Sequence, residues 1–553
     1  MRSTIKLGTR RSLLAWSQSL GIAKTLEALN SDTFHSVKIE LVGIETRGDK
    51  IQDVPLNQVQ GKEFFVEELD TALRSGAVDM TVHSLKDLSL VRPKEFVCAA
   101  IPKRENSRDV AIFNSHVIPK LRSNQTIKIG TSSPRRLENI PPFLAQALPW
   151  QKRKLDFIEI RGNINTRIAR LHELPQNPRY LDGVVLAMAG LIRLWADPIA
   201  REELKVLLKD TLLMILPLKT CPSAPGQGAL AIECLASNTE LRKLLLLIHH
   251  TETERHVLQE RALLSDWGGG CHQAFGATSV CEGKLGDCFF IRGKKPDGSF
   301  VDEFKWHAPP ALSPSDNPRN AWNGLDWAKK CTQKELLINT LNIHDNTAVV
   351  NHIHENIAVV NHIHENAIAV VNHIHENIAV VNHIHENIAV FIAHSNALPE
   401  KNNLTADHRI YTSGLESWFR LAAQGIWVEG CGEGLGFNSL IATLQEPVLQ
   451  LPKLSDWTIL THDDATETWN TGNVIPTYRV RHNYDDQAKS ALINATHVFW
   501  ASGSQFIRLK DIVQPQAHLA CGPGKTAELL QSKHIKTLVF PSVKEWKQWL
   551  KII

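Results

Sequence analysis

The chain has 553 residues, of which 43% are hydrophobic and 22% charged, and a formal net charge of +3. That length calls for more than one domain, and the composition is that of an ordinary water-soluble globular protein. A near-neutral balance gives no bulk argument for a nucleic-acid or anionic-membrane partner. The longest apolar runs, such as Leu212–Leu216, are far too short to span a bilayer. The opening MRSTIKLGTRRS lacks the apolar core of a secretory signal. Nine cysteines without a CxxC pair fit reduced thiols in a cytoplasm better than a disulfide framework.

In chain order, Ile5–Leu7 reads as a strand, and Leu13–Leu29 sets Leu13, Leu14, Trp16, Leu20, Ala23, Leu26 and Leu29 on a helical face. Val37–Val42 alternates like a strand. Phe64–Arg74 is helical and stops at Gly76, a C′ glycine, and Val78–Val82 is again a strand. Ile127–Gly130, Phe157–Ile160 and Val184–Met188 are further strands, each leading toward a helix. The layout to about residue 250 is α/β with largely parallel strands. Residues 251–340 read as a smaller α+β unit that opens on a helix at Glu252–Leu264.

Residues 342–391 carry the unit NHIHENIAVV, starting at Asn351, Asn361, Asn372 and Asn382, with an extra Ala367 in one copy. A ten-residue period matches no common solenoid. Pairs such as His352/His354 and His362/His364 would share a strand face and could hold a metal. Near-identical copies read more simply as an expanded linker with solvated histidines, and no metal site is assigned. Residues 404–553 return to globular composition, with strands at Trp457–Leu460 and His497–Trp500 and a last helix near Val543–Leu550.

Arginine recurs where strands give way to helices. GTRRS spans Gly8–Ser12, and GTSSPRRL spans Gly130–Leu137. In the second, Ser133 suits an N-cap and Pro134 the first helical position. Free backbone N–H groups, hydroxyls and Arg135/Arg136 would then converge on an anion. RGNINTR sets Arg161 and Arg167 six apart, off a common helix face, and AGLIRL adds Arg193. Any one of these could be solvated surface charge. Their recurrence at successive strand exits points to a polycarboxylate or polyphosphate ligand. HSLKDL, His83–Leu88, offers a hydroxyl, an ammonium and the carboxylate of Asp87, which beside cations stays ionised. An ion-paired helix start is the plainer reading of it. GGGCHQAFG, Gly268–Gly276, lets the Cys271 thiol project from a bent loop. A buried structural cysteine is the commoner case, and a covalent attachment point or nucleophile the sharper one.

Taken in order, GTRRS, QGKEFF, AVDMTVHSLKD, GTSSPRR, RGNINTR, LAMAGLIRL, APGQGALAIE and GGGCHQAFG resemble the hydroxymethylbilane synthases, or porphobilinogen deaminases, over about residues 4–340. The resemblance implies two domains like type-II periplasmic binding proteins, at about 1–102 plus 222–248 and at 103–221, with the cleft between them. A small α+β third domain at 249–340 would carry the cofactor cysteine. The repeat linker, 341–403, and a C-terminal α/β domain, 404–553, would follow. The implied enzyme is a transferase that joins four porphobilinogens head to tail, loses ammonia at each step and releases 1-hydroxymethylbilane. Its implied cofactor is a dipyrromethane bonded by thioether to Cys271.

Lys86, Ser84, Thr131, Ser132, Ser133, Arg135, Arg136 and Arg161 match cofactor-binding positions of that family. Arg10, Arg11, Ser12, Lys62, Arg167 and Arg193 match substrate-binding ones. Asp87 matches the catalytic aspartate, which stabilises the cationic azafulvene left when ammonia departs. Each pyrrole brings an acetate and a propionate, a growing polyanion suited to forked guanidinium contacts. The implied protein is a cytoplasmic monomer with neither nucleic acid nor membrane as partner. Departures are Leu88–Ser89 after Asp87, Asn165 in RGNINTR and Glu63 in QGKEFF; none removes a charged catalytic group.

RIYTSG at Arg409–Gly414, VEGCGEGLG at Val428–Gly436, PTYRV at Pro476–Val480, FWASGS at Phe499–Ser504 and CGPGKTAELL at Cys521–Leu530 resemble a shortened uroporphyrinogen-III synthase. The opening strand of that family and its Arg-Pro turn are not visible. Tyr478, Thr412, Ser413, Ser502 and Ser504 are the groups expected at a surviving cleft. A domain that only stabilises or tethers is favoured over a second, ring-closing activity. Outside enzymes, the alternative is a non-catalytic anion-binding module, which would need neither Cys271 nor Asp87. A nucleic-acid binder is disfavoured because the arginines lack interleaved aromatics.

Overall fold

Strand β1 (Thr4–Arg10) buries Ile5 and Leu7 and ends in the first arginine motif. It is followed by α1 (Leu13–Asn30), β2 (Lys38–Ile44), α2 (Glu67–Arg74), β3 (Met80–Ser84) and β4 (Phe96–Ala100). The chain then crosses to a second sheet, made of β5 (Asp109–Asn114), α3 (Val117–Arg122), β6 (Ile127–Gly130), α4 (Pro134–Ala147), β7 (Leu155–Ile158), α5 (Ile164–Ala169), β8 (Gly183–Ala187), α6 (Met188–Ala196), α7 (Pro198–Leu208) and β9 (Thr211–Ile215). It crosses back to add β10 (Leu230–Leu235) and α8 (Thr239–Leu245) to the first sheet. The structure, a computed structural model, describes residues 4–30, 37–46, 66–268, 273–306, 320–338, 340–344, 347–351 and 388–551.

The first sheet has the order β2-β1-β3-β10-β4 and the second β7-β6-β8-β5-β9. In each, the fourth position is taken by the strand that has just arrived from the other domain, and that strand runs antiparallel to its neighbours. The remaining pairs are parallel. Helices cover both sheets, so strands such as β5 are buried along their whole length and read as continuous apolar runs. These are two α/β sheets with largely parallel strands, as expected from the sequence. Several strands lie about two residues from their expected places, β3 later and β7 earlier.

The third domain opens with α9 (Thr251–Asp266) and an antiparallel sheet, β11 (Phe275–Glu282), β12 (Gly286–Lys294) and β13 (Phe300–Trp306). Trp267, Phe275, Ala277, Phe289 and Ile291 form its core. No disulfide joins the described cysteines. Among the described residues no helix is long and apolar enough to cross a membrane.

Two compact units emerge: residues 1–310 with 418–450, and residues 311–417 with 451–553. This division differs from the sequence boundaries at 340 and 404. In the second unit, β14 (Ala321–Asn323) and, after α10 (Gly324–Cys331), β15 (Thr332–Leu336) join C-terminal strands rather than the third domain. Neither carries a legible signal: one has three residues, and the other, TQKEL, is largely polar. Next come β16 (Thr340–His344), β17 (Thr347–Asn351), β18 (Ala389–Ile392), β19 (Lys401–Asn402) and β20 (Arg409–Thr412). The chain then enters α11 (Leu415–Ala423), β21 (Gly430–Cys431) and α12 (Asn438–Leu444) before β22 (Thr458–His462), β23 (Asn473–His482), β24 (His497–Trp500), β25 (His518–Cys521) and β26 (Leu538–Val539). The second unit holds a parallel sheet, β14-β24-β25-β26, and a mixed one that includes β15-β23-β22-β18-β20. Residues 352–387 of the repeat lie outside the described residues, and the metal-or-linker question goes with them.

Candidate active site

Arg135 and Arg136, from the second arginine motif, meet at one buried carboxylate that sequence reading missed. Asp109 opens β5 and is fully buried. Arg135 Nη1 donates to its Oδ2 at 2.8 Å, while Arg136 donates from Nη2 to Oδ1 at 2.8 Å and from Nε to Oδ2 at 3.2 Å. Gln227 Nε2 adds a bond to Oδ1 at 2.9 Å. Burial alone would raise the carboxyl; the two guanidiniums overcome it and hold Asp109 well below the usual carboxylate range. Two cations on one anion leave the cluster positive. Arg135 Nε is buried with no hydrogen-bond partner.

The loop ahead of α4 supplies the hydroxyls. Ser132 exchanges hydrogen bonds with the backbone of Ile160, donating to its carbonyl and accepting from its N–H. Thr131 is buried, and Ser133 occupies the N-cap position ahead of Pro134. The expected cap is only positional: the Ser133 hydroxyl makes no capping bond. Arg161 lies between β7 and α5, and its Nε and Nη2 are buried without a hydrogen-bond partner. Arg167 donates from Nε to Gly162 O at 2.8 Å. Burial, then the charges of Arg136, Arg170 and Arg161, push its pKa down to about 10. Arg167 therefore lies within electrostatic reach of Arg136 and Arg161.

The first domain contributes the end of β3. Ser84 closes that strand, and Leu85–Asp87 make one 3-10 turn with Leu85 buried, Lys86 half-buried and Asp87 exposed. Burial lowers the Lys86 pKa; Asp87 and Asp109 oppose this, and Arg136 and Arg135 reinforce it. Lys86 is thus coupled to the arginines of the second domain. His83 is a structural neighbour instead, buried at 2.9 Å from Thr81 Oγ1, with its pKa pushed down to about 3 by burial, Arg92 and Arg10. Arg10 ends β1 half-buried, Arg11 is exposed and Ser12 half-buried. Arg193 is turned elsewhere: its Nη2 donates to Gly228 O at 2.6 Å, in the return crossing to β10. Lys62 and Cys271 lie outside the described residues.

Residues 5–243 match the family described as porphobilinogen deaminase, dipyromethane cofactor binding domain. The porphobilinogen deaminase of Shouchella clausii (strain KSM-K16) is 37% identical over 303 residues, 54% of this chain and 86% of that one. That of Bacillus subtilis (strain 168) is 37% identical over 305 residues, 54% and 87%. The chain belongs to the porphobilinogen deaminase family. It is accordingly a transferase, and its family's cofactor is dipyrromethane. Among solved structures, the methionine-binding protein MetQ is 12% identical, covers 46% of this chain and 93% of its own, and has a TM-score of 0.26, too low to bear on the fold.

The third domain braces the site. Arg261 on α9 donates to the carbonyls of Leu85, Leu88 and Ser89 at 2.8, 3.1 and 2.9 Å, fixing the turn that carries Lys86 and Asp87. Glu260, one residue earlier, takes both Arg104 terminal nitrogens and the N–H groups of Gly226 and Ser279. Arg104 is on the outward crossing between the domains and Gly226 on the return. Gly228 sits at φ +87° with room for no side chain, since a Cβ would come to 2.5 Å from Glu105 O.

The rings of Trp267, just after α9, and Phe275, which opens β11, pack with centroids 4.2 Å apart. Gly276 lies so close to Pro222 O that a Cβ there would approach to 2.2 Å. Arg135 Nη1 donates to that same carbonyl at 2.9 Å. Gly276 is therefore tied to the arginine cluster through Pro222.

Proposed function

We propose that the chain carries a covalent dipyrromethane on Cys271 and condenses four porphobilinogens head to tail into 1-hydroxymethylbilane. The observation that carries this reading is the set of buried guanidinium N–H groups without protein partners, Nε and Nη2 of Arg161 and Nε of Arg135. Buried donors are paired in nearly all proteins, and a cluster of positive charge with unmet donors fits a ligand bearing several carboxylates. The tie between Gly276 and Arg135 through Pro222 supports it. Cys271 is five residues from Gly276, within about 17 Å of extended chain.

In this reading Arg135, Arg136, Arg161, Lys86, Ser84, Thr131, Ser132 and Ser133 hold the dipyrromethane, which supplies the pyrrole that primes the chain. Arg10, Arg11, Ser12, Lys62 and Arg167 receive the carboxylates of incoming substrate, while Arg193, bonded to Gly228 O, braces the return crossing instead. Asp87 sets its charge against the cation that develops as ammonia leaves. The enzyme acts as a cytoplasmic monomer. Asp87→Asn is expected to fold and keep its cofactor but lose turnover by roughly two to three orders of magnitude, as when one preorganised charge is removed. A wild-type rate of porphobilinogen consumption would remove Asp87 from the catalytic role.

The second unit is read as a tethering domain. Ser502 caps the turn after β24, accepting from Gln505 N at 3.2 Å, and its hydroxyl is 3.1 Å from that of Ser504. Thr412 donates to Gly414 O. These hydroxyls serve the local backbone. With full-length protein and porphobilinogen, the uroporphyrin recovered after oxidation of the product is expected to be mostly isomer I, from spontaneous closure. Predominant isomer III would instead assign ring closure to this unit.

A further inference from the structure

Residues 418–450, which the sequence places in the C-terminal domain, belong to the deaminase unit. Their anchors are deep. Trp418 is fully buried, donates from Nε1 to Ala147 O at 3.1 Å and meets Phe143 edge-on. Trp427 donates to Leu213 O at 3.0 Å and meets Phe113 edge-on. Ile215 N donates to Glu429 O at 2.6 Å, so the segment continues the edge of β9.

Beyond these anchors the segment reaches the hinge. Residues 101–108 and 216–229 are the two crossings between the sheets, and in a two-domain fold such crossings absorb opening and closing. Glu433 engages both. Its Oε1 accepts from Arg108 Nη2 at 3.0 Å and its Oε2 from Lys219 N at 2.8 Å. Thr443 Oγ1 accepts from Asn106 Nδ2 at 2.9 Å, and Asn106 Oδ1 accepts from Arg108 N. Glu433 is buried and held at φ +56°, a left-handed conformation that favours glycine. Strain of this kind persists where surrounding contacts over-determine it. Arg108 directly precedes Asp109, the carboxylate that aims Arg135 and Arg136.

We propose that Glu433 is a positioning residue for the deaminase reaction: the 418–450 segment staples the two hinge crossings together and so sets how the cleft opens to admit each new pyrrole. The C-terminal half thereby acts on catalysis without touching substrate. The proposal rests on the deaminase reading, and turnover by wild-type full-length holoenzyme establishes that reading before any variant is measured.

Two variants test the staple. Glu433→Gly removes the carboxylate and relieves the strained φ, while Thr443→Val removes only the Asn106 contact. Both are measured as cofactor-loaded full-length enzyme. Glu433→Gly is expected to change kcat and KM together, as hinge changes do. Its kcat/KM should fall roughly ten-fold, the ratio one charged hydrogen bond supports. Hydrogen exchange should quicken in residues 103–108 and 217–221. Thr443→Val should shift the same constants in the same direction by a smaller factor. Wild-type kcat and KM in loaded Glu433→Gly would overturn the proposal. So would a loss of rate that only tracks unloaded protein, which marks a folding contact. Should Glu433→Gly fail to fold, Thr443→Val decides: a joint shift supports the staple, and wild-type constants refute it.

Discussion

Strands β5 and β10 hold the same position in their two sheets, and each carries a buried acid, Asp109 in one and Glu233 in the other. Their surroundings differ. Asp109 is shared by Arg135 and Arg136, so the group is net positive. Glu233 shares its one arginine, Arg92, with a second acid, Asp70, at 2.8 and 2.6 Å. Burial pushes the Glu233 carboxyl up, against the opposing hydrogen bond and charge of Arg92, whereas Asp109 is held down. One topology thus yields a shared-arginine ion network in the first domain and a net-positive arginine cluster in the second. The difference lies in which side has a cation to spare.

Removing each acid is the strongest way to break the comparison. Asp109→Ala leaves two guanidiniums buried beside each other and is expected to cost about 3–5 kcal/mol. Glu233→Gln leaves Arg92 its bond to Asp70 and is expected to cost about 1–3 kcal/mol. Thermal unfolding of the two variants checks the order, and equal losses would erase the distinction. Acid separates them further. Asp109 has a depressed pKa, so its contribution is present above the ordinary carboxylate range and fades as pH falls through it. His83, lowered to about 3, binds its proton more readily when unfolded, and its network loses stability between about pH 6.5 and 3. Glu233, raised, works the other way and favours the folded state as pH falls. Asp109→Ala should therefore lose the steepest part of the acid limb, and Glu233→Gln should steepen it.

The same comparison is sharpened on the arginines. Arg161 has two buried nitrogens without protein partners, so Arg161→Ala should leave unfolding nearly unchanged while cofactor loading falls by roughly ten-fold or more, the worth of a charged hydrogen bond. A large loss of stability with full loading would make Arg161 a fold residue like Arg92.

The motifs were legible in the sequence because each is local: a strand end, a few turn residues and a helix start within ten positions. The arginines of α4 and α5 came from that grammar, whereas the face read for α1 held only in part: Ala23 and Leu26 are buried, but Trp16 and Leu29 are exposed and Ile22, not assigned to the face, is buried. What escaped is long-range. Asp109 meets Arg135 across 26 positions, Glu260 meets Arg104 across 156, and Glu433 meets Arg108 across 325. Asp109, Glu260 and Glu433 stand outside the strand-exit arginine motifs, and their roles exist only after the crossings bring distant segments together. Strands β14 and β15 escaped for the opposite reason, being too short or too polar to signal pairing.

The central claim is that the arginine cluster receives a dipyrromethane bonded to Cys271, and intact mass of the freshly purified full-length chain tests it most directly. The account predicts a mass above that of the bare polypeptide by one dipyrromethane, and a bare mass for Cys271→Ala. A bare mass in active wild-type protein, or the adduct persisting in Cys271→Ala, would contradict it.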